Sequence, residues 1–249
     1  HAPQIIKAAN CELYTYSEES KEADFVASDI RYVSQPDFVG TEFHISGKYD
    51  MEVRLGIPGL FNVVNALAAV SVCSFLGLDQ ARISHALENI RVNGRMEIVY
   101  TSERCTVLVD YAHNAVSMES LLSTLRDYKP KRLVCVFGCG GNRSKDRRYS
   151  MGEIGGKMAD LSIITADTSR YEKVEDIIAD IRGSIEKTGG KFIEIPDRKE
   201  AITYSITHAE QGDMIAIIGK GHEDYQEING VRYPFLDRAV VEEVVKTLQ

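Results

Sequence analysis

"VFGCGGNRSKDRRYSMGEIG", residues 136–155, is the stretch that decides the fold. An apolar run enters a glycine cluster, basic residues follow, and a helical pattern begins. Gly138, Gly140 and Gly141 open like a dinucleotide-binding loop. Arg143 stands where the third glycine of G-x-G-x-x-G would lie, which argues against bound NAD and against a redox enzyme. The phosphate-binding pattern G-x-x-x-x-G-K-[ST] is also missing from the sequence.

The remaining features of this stretch favour an anion-binding loop. Backbone N–H groups at the start of a helix lie beside the basic residues Arg143, Lys145, Arg147 and Arg148. Such a combination suits a carboxylate or a phosphate. A tight turn followed by solvated charges is the alternative interpretation.

Apolar strands and amphipathic helices alternate on both sides of this stretch. The predicted strands are "CTVLVDYA", "KRLVCVFG", "LSIITAD", "KFIEI" and "DMIAIIG", with a helical segment after each of the first four. A hairpin at Asn229-Gly230 and a last helix follow. This alternation predicts an α/β fold with a mainly parallel, doubly wound sheet flanked by helices.

In such a sheet, ligands bind outside the carboxyl ends of the strands. The loops expected there are residues 110–113, 138–145, 167–170 and 219–223. Each loop allows two interpretations. Asp110 could bind a ribose or cap the next helix, and Asp167 could cap a helix beside an exposed Arg170. Arg170 could instead bind a carboxylate, and Glu223 an ammonium group.

The first third of the chain follows a different pattern. Residues 11–55 alternate between polar and apolar side chains, which predicts an antiparallel or mixed sheet. A helix is expected after Gly59 up to Gly77, and a second helix after Asp79 as its N-cap. The polar, glycine-bearing residues 91–97 indicate a boundary, so we expect two domains, 1–96 and 97–249.

Composition narrows the classes of function. The 249 residues carry a net charge of −8, which disfavours general nucleic-acid binding but allows a local basic pocket. The five cysteines include no C-x-x-C pair, as in a cytoplasmic protein with reduced thiols. The longest apolar run, residues 66–78, is too short to span a bilayer. No signal peptide is recognisable, and the start at His1 without Met suggests a fragment or a processed product.

Several motifs together resemble a known family. "GLFNVVNALAA", "NGRMEIV", "VDYAHN", "FGCGGNRSKDRRYSMG", "DTSR" and "GKGHEDYQ" with "FLDR" occur in the order and spacing of the Mur ligases. Among these, the sequence is most similar to the enzymes that add the third residue of the peptidoglycan stem peptide. The resemblance covers nearly the whole chain.

The resemblance implies ATP-dependent amide formation with Mg²⁺. The D-glutamate carboxylate of UDP-N-acetylmuramoyl-L-alanyl-D-glutamate would become an acyl phosphate, which the amine of a diamino acid attacks. Meso-diaminopimelate is favoured as this amino acid, with L-lysine as the alternative. The resemblance implies small-molecule partners only, with no nucleic acid and no membrane.

The resemblance also assigns roles to individual residues. Lys145 and Arg95 would act on the reacting phosphate. The nucleotide contacts would be Asn65, Arg95, Asp110 and His113. The pocket for the incoming amino acid would comprise Arg143, Asp167, Thr168, Ser169, Arg170, Gly219 and Glu223. No residue of this sequence is assigned as a metal ligand.

The sequence departs from the family pattern in several places. Thr168 and Ser169 replace the Asn-Pro that diaminopimelate-adding enzymes usually carry, while Arg170 is retained. Asn93 and Asn142 replace a usual Pro and a common Asp.

A larger difference is the absence of a recognisable P-loop, carbamylated lysine and Mg²⁺ ligands. We therefore expect residues 1–96 to be the second part of the central domain and 97–249 the C-terminal domain. The polypeptide alone is expected to be unable to turn over ATP. The alternative is a non-catalytic amino-acid-binding module derived from the ligase.

Overall fold

The computed structural model describes residues 2–248 and separates them into two compact units. The first unit comprises the residues up to Val33 together with Gly40–Ile90. The second comprises Ser34–Val39 and the chain from Arg91 onward. None of the helices in residues 2–248 combines the length and the apolar character that a bilayer crossing requires.

The first unit contains a four-stranded sheet and three helices. Its elements are α1 (Ala2–Ala8), β1 (Tyr16–Ser17), β2 (Phe25–Gln35), β3 (Phe38–Gly47), β4 (Met51–Leu55), α2 (Leu60–Phe75) and α3 (Gln80–Asn89), except that the end of β2 and the start of β3, within residues 34–39, belong to the second unit. The strand order is β1-β2-β3-β4, with β1 parallel to β2 and β3 antiparallel to β4. The prediction of a mixed sheet is confirmed. Only two residues of the predicted first strand are extended.

Apolar residues that alternate along the strands form the core of the first unit with the inner face of α2. Phe25, Phe43 and Leu55 pack with Leu67 and Val70, and all five are buried. The predicted N-cap of α3 is confirmed, since the Asp79 side chain accepts a hydrogen bond from the backbone N–H of Arg82.

The second unit is built on a six-stranded sheet with the order β5-β6-β10-β7-β8-β9. These strands are β5 (Glu97–Thr101), β6 (Cys105–Asp110), β7 (Arg132–Phe137), β8 (Leu161–Ile164), β9 (Phe192–Glu194) and β10 (Asp213–Ile218). All neighbours are parallel except β5, which is antiparallel to β6. The predicted parallel sheet is confirmed. Strand β5 was not predicted, because it begins inside a segment interpreted as a boundary.

Helices cover both faces of this sheet, as in a doubly wound fold. They are α4 (Ala115–Asp127), α5 (Asp146–Met158), α6 (Val174–Thr188), α7 (Arg198–Thr207) and α8 (Asp237–Leu248). Val134 and Val136 of β7 pack with apolar residues of α7 and α8. Phe137 points to the opposite face, where its ring lies under Gly155 of α5.

A short hairpin stands beside the sheet. It consists of β11 (Tyr225–Ile228) and β12 (Val231–Pro234), which are antiparallel. The chain reverses at Asn229 and Gly230, where φ is 51° and 75°, so the predicted hairpin is confirmed.

Candidate functional site

The register of the parallel strands brings four loops to one edge of the sheet. Asp110 at the end of β6 pairs with Ile218 of β10, and Ile217 pairs with Val136 of β7. Phe137 in turn pairs with Ile164 of β8. The segments that follow these strands therefore leave the sheet side by side, as the sequence predicted.

Glycines allow the backbones of these loops to approach closely. A Cβ atom on Gly141 would lie 1.9 Å from the carbonyl oxygen of Ser169, and one on Gly138 would lie 2.2 Å from that of Thr165. A Cβ atom on Gly94 would lie 2.1 Å from the backbone nitrogen of His222. Side chains at these glycines would force the loops apart.

The four loops and the hairpin enclose a cavity of about 360 Å³. Its lining residues are Tyr111, His113, Gly138, Cys139, Gly140, Arg143, Arg147, Asp167, Thr168, Arg170, Gly219, Glu223 and Tyr225. The cavity is lined by three guanidinium and two carboxylate side chains, which come from three separate segments of the chain. Such a cavity suits a ligand that carries charges of both signs.

Arg170 lies on the basic side of the cavity, and hydrogen bonds fix both its backbone and its side chain. This residue adopts the left-handed conformation, with φ of 51°. Its backbone is fixed by the hairpin, because its N–H donates to the carbonyl of Glu227 and its carbonyl accepts from the N–H of Asn229. Its Nη1 donates to the carbonyl of Gly141 at 2.7 Å. Within residues 2–248, neither Arg143 nor Arg147 forms an ion pair, so both guanidinium groups are available to a ligand.

A second network ties the loop after β7 to the loop after β8. The Glu172 carboxylate accepts hydrogen bonds from the backbone N–H of Asn142 and from Nη2 of Arg148. The Asn142 side chain in turn accepts from the backbone N–H of Tyr171 at 3.1 Å. The hydrogen bond to Arg148, followed by that to the Asn142 backbone, lowers the pKa of Glu172. The carboxylate is therefore charged at neutral pH.

The acidic side of the cavity contains Asp167 and Glu223. The Tyr111 hydroxyl donates to Oε1 of Glu223 at 3.1 Å, and Nζ of Lys220 lies 3.6 Å from its Oε2. Burial, followed by the hydrogen bond to Glu223, raises the pKa of Tyr111. The phenol therefore stays protonated and remains a donor.

Asp110 lies beneath the site and is almost completely buried. Its two carboxylate oxygens accept backbone N–H groups, from Ala112 at 2.7 Å and from Met96 at 2.8 Å. Burial raises its pKa, and these hydrogen bonds oppose the rise. The alternative role as a helix cap is wrong, because Asn114 is the N-cap of α4. The second cap alternative is wrong too, since α6 begins after Lys173 and Asp167 lines the cavity.

Several residues predicted for the site lie outside the cavity wall. Lys145 Nζ forms an ion pair with Asp180 at 3.0 Å. Arg95 stacks on the ring of Tyr111, with 4.7 Å between its Cζ and the ring centroid. Ser169 is buried behind the wall. Asn65 lies on α2 in the first unit, where its amide donates to the Asn62 side chain.

Four side chains of the wall, those of Tyr111, Cys139, Arg147 and Tyr225, were not assigned to the pocket from the sequence. Tyr111 and Cys139 lie inside the predicted loops 110–113 and 138–145, and Arg147 is one of the basic residues of the predicted anion-binding stretch, so their position was a usable signal. Tyr225 starts a hairpin strand, where alternation gives no indication of a ligand. Arg148 was predicted as one of the basic residues of the anion-binding loop, but it is buried against Glu172 and Asp180.

Comparison with known proteins assigns the family. The glutamate ligase domain of the Mur ligases matches residues 94–221, and the Mur ligase middle domain matches residues 1–73. UDP-N-acetylmuramoyl-L-alanyl-D-glutamate–2,6-diaminopimelate ligases of Aquifex aeolicus and Clostridioides difficile are 39% and 38% identical over 98% of this chain. The chain covers 49% and 50% of those two proteins, and thus spans about half the length of the curated relatives it matches.

A solved structure of an enzyme with the same name superposes with a TM-score of 0.78. Its sequence is 34% identical, and the match covers 100% of this chain and 51% of that one. The matched domains and this likeness lead to one conclusion: the chain belongs to the Mur ligase family.

Proposed function

We propose that this chain is the amino-acid-binding portion of an ATP-dependent ligase of peptidoglycan synthesis. The complete enzyme would join a diamino acid, preferably meso-diaminopimelate, to UDP-N-acetylmuramoyl-L-alanyl-D-glutamate. The observation that carries the proposal is the cavity at the edge of the parallel sheet, where guanidinium and carboxylate side chains from separate loops face the same space. The names of the relatives at 38–43% identity support it.

The charges of the cavity favour meso-diaminopimelate over lysine. Meso-diaminopimelate carries two carboxylates and two ammonium groups, whereas lysine has a single carboxylate. Arg143, Arg147 and Arg170 offer more cationic groups than one carboxylate needs. A volume of about 360 Å³ is also in the range of small-molecule sites.

We propose the following contacts in this cavity. Arg143 and Arg170 would bind carboxylates, while Asp167, Glu223 and the Gly219 carbonyl would receive an ammonium group. Thr168 would contribute its hydroxyl, since its Oγ1 is buried without a hydrogen-bond partner within residues 2–248. A buried hydroxyl of this kind is costly unless a ligand satisfies it. Ser169 would act from behind, through its close contact with Gly141.

The nucleotide would lie near Arg95, which covers the ring of Tyr111, and near His113, which also lines the cavity. Both oxygens of Asp110 already accept backbone N–H groups, so a ribose would use its remaining lone pairs. Lys145 is proposed as a further contact with ATP, while the role of Asn65, on α2 of the first unit, stays a prediction from the sequence. Within residues 2–248, no group of three or more His, Cys, Asp or Glu side chains could hold a metal ion.

The two matched domains support the proposed division of the chain. Residues 1–96 would be the second part of the central domain, and 97–249 the C-terminal domain. The remainder of the enzyme would supply the P-loop and the Mg²⁺ ligands, and the whole would work in the cytoplasm, in support of cell-wall growth, cell shape and cell division.

Calorimetric titration of the 249-residue chain tests the proposal. Meso-diaminopimelate should bind at least tenfold more tightly than L-lysine. Equal affinities would contradict the preference, and no binding of either amino acid would contradict the amino-acid pocket. Adding a polypeptide with the preceding half of a relative should then produce ADP release that depends on the muramyl dipeptide substrate. Binding without such release would instead indicate a non-catalytic module.

A further inference from the structure

Tyr111 lies between the two groups of residues that the proposed function separates. Its hydroxyl donates to the Glu223 carboxylate at 3.1 Å, on the amino-acid side. Its ring faces the Arg95 guanidinium, with 4.7 Å between Arg95 Cζ and the ring centroid, on the nucleotide side. One side chain thus contacts a cation with its face and a carboxylate with its tip.

The Glu223 carboxylate is held at both oxygens. Oε1 accepts from the Tyr111 hydroxyl, and Oε2 lies 3.6 Å from Nζ of the fully buried Lys220. Lys220 also donates to the carbonyl of Tyr225, which limits its movement. The hydroxyl therefore orients the carboxylate from the oxygen that does not face Lys220, and it adds no second positive charge that would compete with an ammonium ligand.

The ring of Tyr111 is confined by its neighbours. The ring centroid of His113 lies 4.8 Å away, and that of His222 lies 5.3 Å away. A Cβ atom on Gly221 would come within 2.8 Å of Tyr111 Cβ, so the backbone of the last loop lies close to this side chain. The guanidinium of Arg95 covers the ring by a cation–π contact. The position of the hydroxyl follows from that of the ring.

We propose that Tyr111 is a positioning residue that links Arg95 to Glu223. Arg95 holds the ring, and the hydroxyl orients the carboxylate that receives an ammonium group of the amino acid. This rests on the proposed function of the cavity. One consequence distinguishes it from simple packing: loss of Arg95 weakens amino-acid binding through Tyr111, although Arg95 is not part of the cavity wall.

The test measures the dissociation constant for meso-diaminopimelate by calorimetry on the 249-residue chain. Tyr111→Phe keeps the ring and removes the hydroxyl, and is expected to weaken binding about three- to tenfold. Arg95→Ala should weaken binding about two- to fivefold in the original chain. It should have no further effect in the Tyr111→Phe background, because the ring then no longer acts on Glu223.

Two more measurements complete the design. Tyr111→Phe should also have no effect in a Glu223→Ala background, because position 223 then has no side chain to accept the hydroxyl hydrogen bond. Tyr204→Phe removes a hydroxyl from a ring that stacks on His208 of the same helix end, outside the cavity, and should leave the affinity unchanged. Thermal unfolding verifies each variant, and Arg95→Gln replaces Arg95→Ala if the latter does not fold.

The outcomes are distinguishable. An unchanged affinity of Tyr111→Phe overturns the proposal. An equal loss on changing Arg95 in both backgrounds shows that Arg95 acts by its charge alone, and overturns the link. If the original chain binds no diamino acid, the proposed function fails and the positioning role fails with it. Loss in Tyr111→Phe with no additional loss in the double variants supports the proposal.

Discussion

The guanidinium of Arg170 donates a hydrogen bond of 2.7 Å to the carbonyl oxygen of Gly141. The loop after β8 therefore holds the loop after β7 through the same side chain that we propose to bind a carboxylate. Since the backbone of Arg170 is fixed by the hairpin, its guanidinium is already placed before a ligand arrives. Preorganisation of this kind lowers the entropic cost of binding.

Replacing Arg170 tests its proposed selectivity. Arg170→Ala should weaken meso-diaminopimelate binding by about 1.5–3 kcal/mol, because a charge-assisted hydrogen bond is lost, and lysine binding by much less. Calorimetry with both amino acids measures the difference. Arg182→Ala is the matched control, since Arg182 pairs with Glu194 on the surface of α6. Equal losses for the two amino acids would remove Arg170 from the discriminating role.

The close contact between Gly141 and the Ser169 carbonyl leads to a second prediction. Gly141→Ala should destabilise the fold by about 1–3 kcal/mol and weaken ligand binding, because the new methyl group overlaps the Ser169 carbonyl. Gly183→Ala should instead stabilise it by about 0.5–1 kcal/mol, since this glycine lies within α6 with open space around it. Urea unfolding measures both. A Gly141→Ala protein as stable as the original would mean that the loops adapt freely.

Glu172 should make the stability of the folded chain depend on pH in the acidic range. Its pKa is lowered in the folded chain, chiefly by the hydrogen bond to Arg148, from a usual value of 4.5. Its stabilising contribution is therefore complete above about pH 4.5 and is lost as the pH falls through the folded-state pKa. Glu172→Gln should cost about 1 kcal/mol at pH 7.

The difference in the free energy of unfolding between Glu172→Gln and the original chain should become smaller as the pH falls below 4.5. Urea unfolding across this range is the measurement. Asp180, whose pKa is also lowered, retains part of the acid dependence in the variant: burial raises its pKa, but the hydrogen bonds from Lys145 and Arg148 outweigh that effect. If this difference in the free energy of unfolding did not change with pH, the ionised form of Glu172 would not be the source of the stabilisation.

A fully buried ion pair supports two of the site loops from below. Arg198 and Asp237 make two hydrogen bonds of 2.7 Å, and Arg198 also donates to the carbonyls of Ala166 and Ile218. Asp237→Asn or Arg198→Met should cost about 3–5 kcal/mol, because each leaves an uncompensated charge in the interior. Lys199→Met, which breaks the exposed pair with Glu243, should cost less than about 1 kcal/mol. Urea unfolding measures these costs, and a similar loss of stability on changing positions 198 and 199 would contradict this explanation.

Much of the second unit could be predicted from sequence, because parallel strands buried on both faces appear as continuous apolar runs. Strand β5 was not predicted, because its first residue, Glu97, ends the polar segment that was interpreted as a boundary. Glu97 is buried in the structure, where it accepts a hydrogen bond from the N–H of Gly94 and pairs with Arg238. Sequence periodicity does not reveal such long-range partners.

The positions of the site loops could be predicted from the sequence, but the orientations of their side chains could not. Strand ends located the loops, and the cavity does contain Arg143, Arg170 and Glu223 together. The orientation of each side chain depends on tertiary partners. Lys145 turns to Asp180, and Arg170 adopts a left-handed backbone that the hairpin imposes. Neither is encoded in local residue preferences.

The strand order has a consequence for synthesis. Strand β10 lies between β6 and β7, yet it is the last of the six strands to emerge from the ribosome. Until residue 218 has left the exit tunnel, a nascent chain carries two apolar strands whose facing edges have no neighbour. Chaperone capture should therefore be strongest on chains halted after β9, and should cease once β10 inserts.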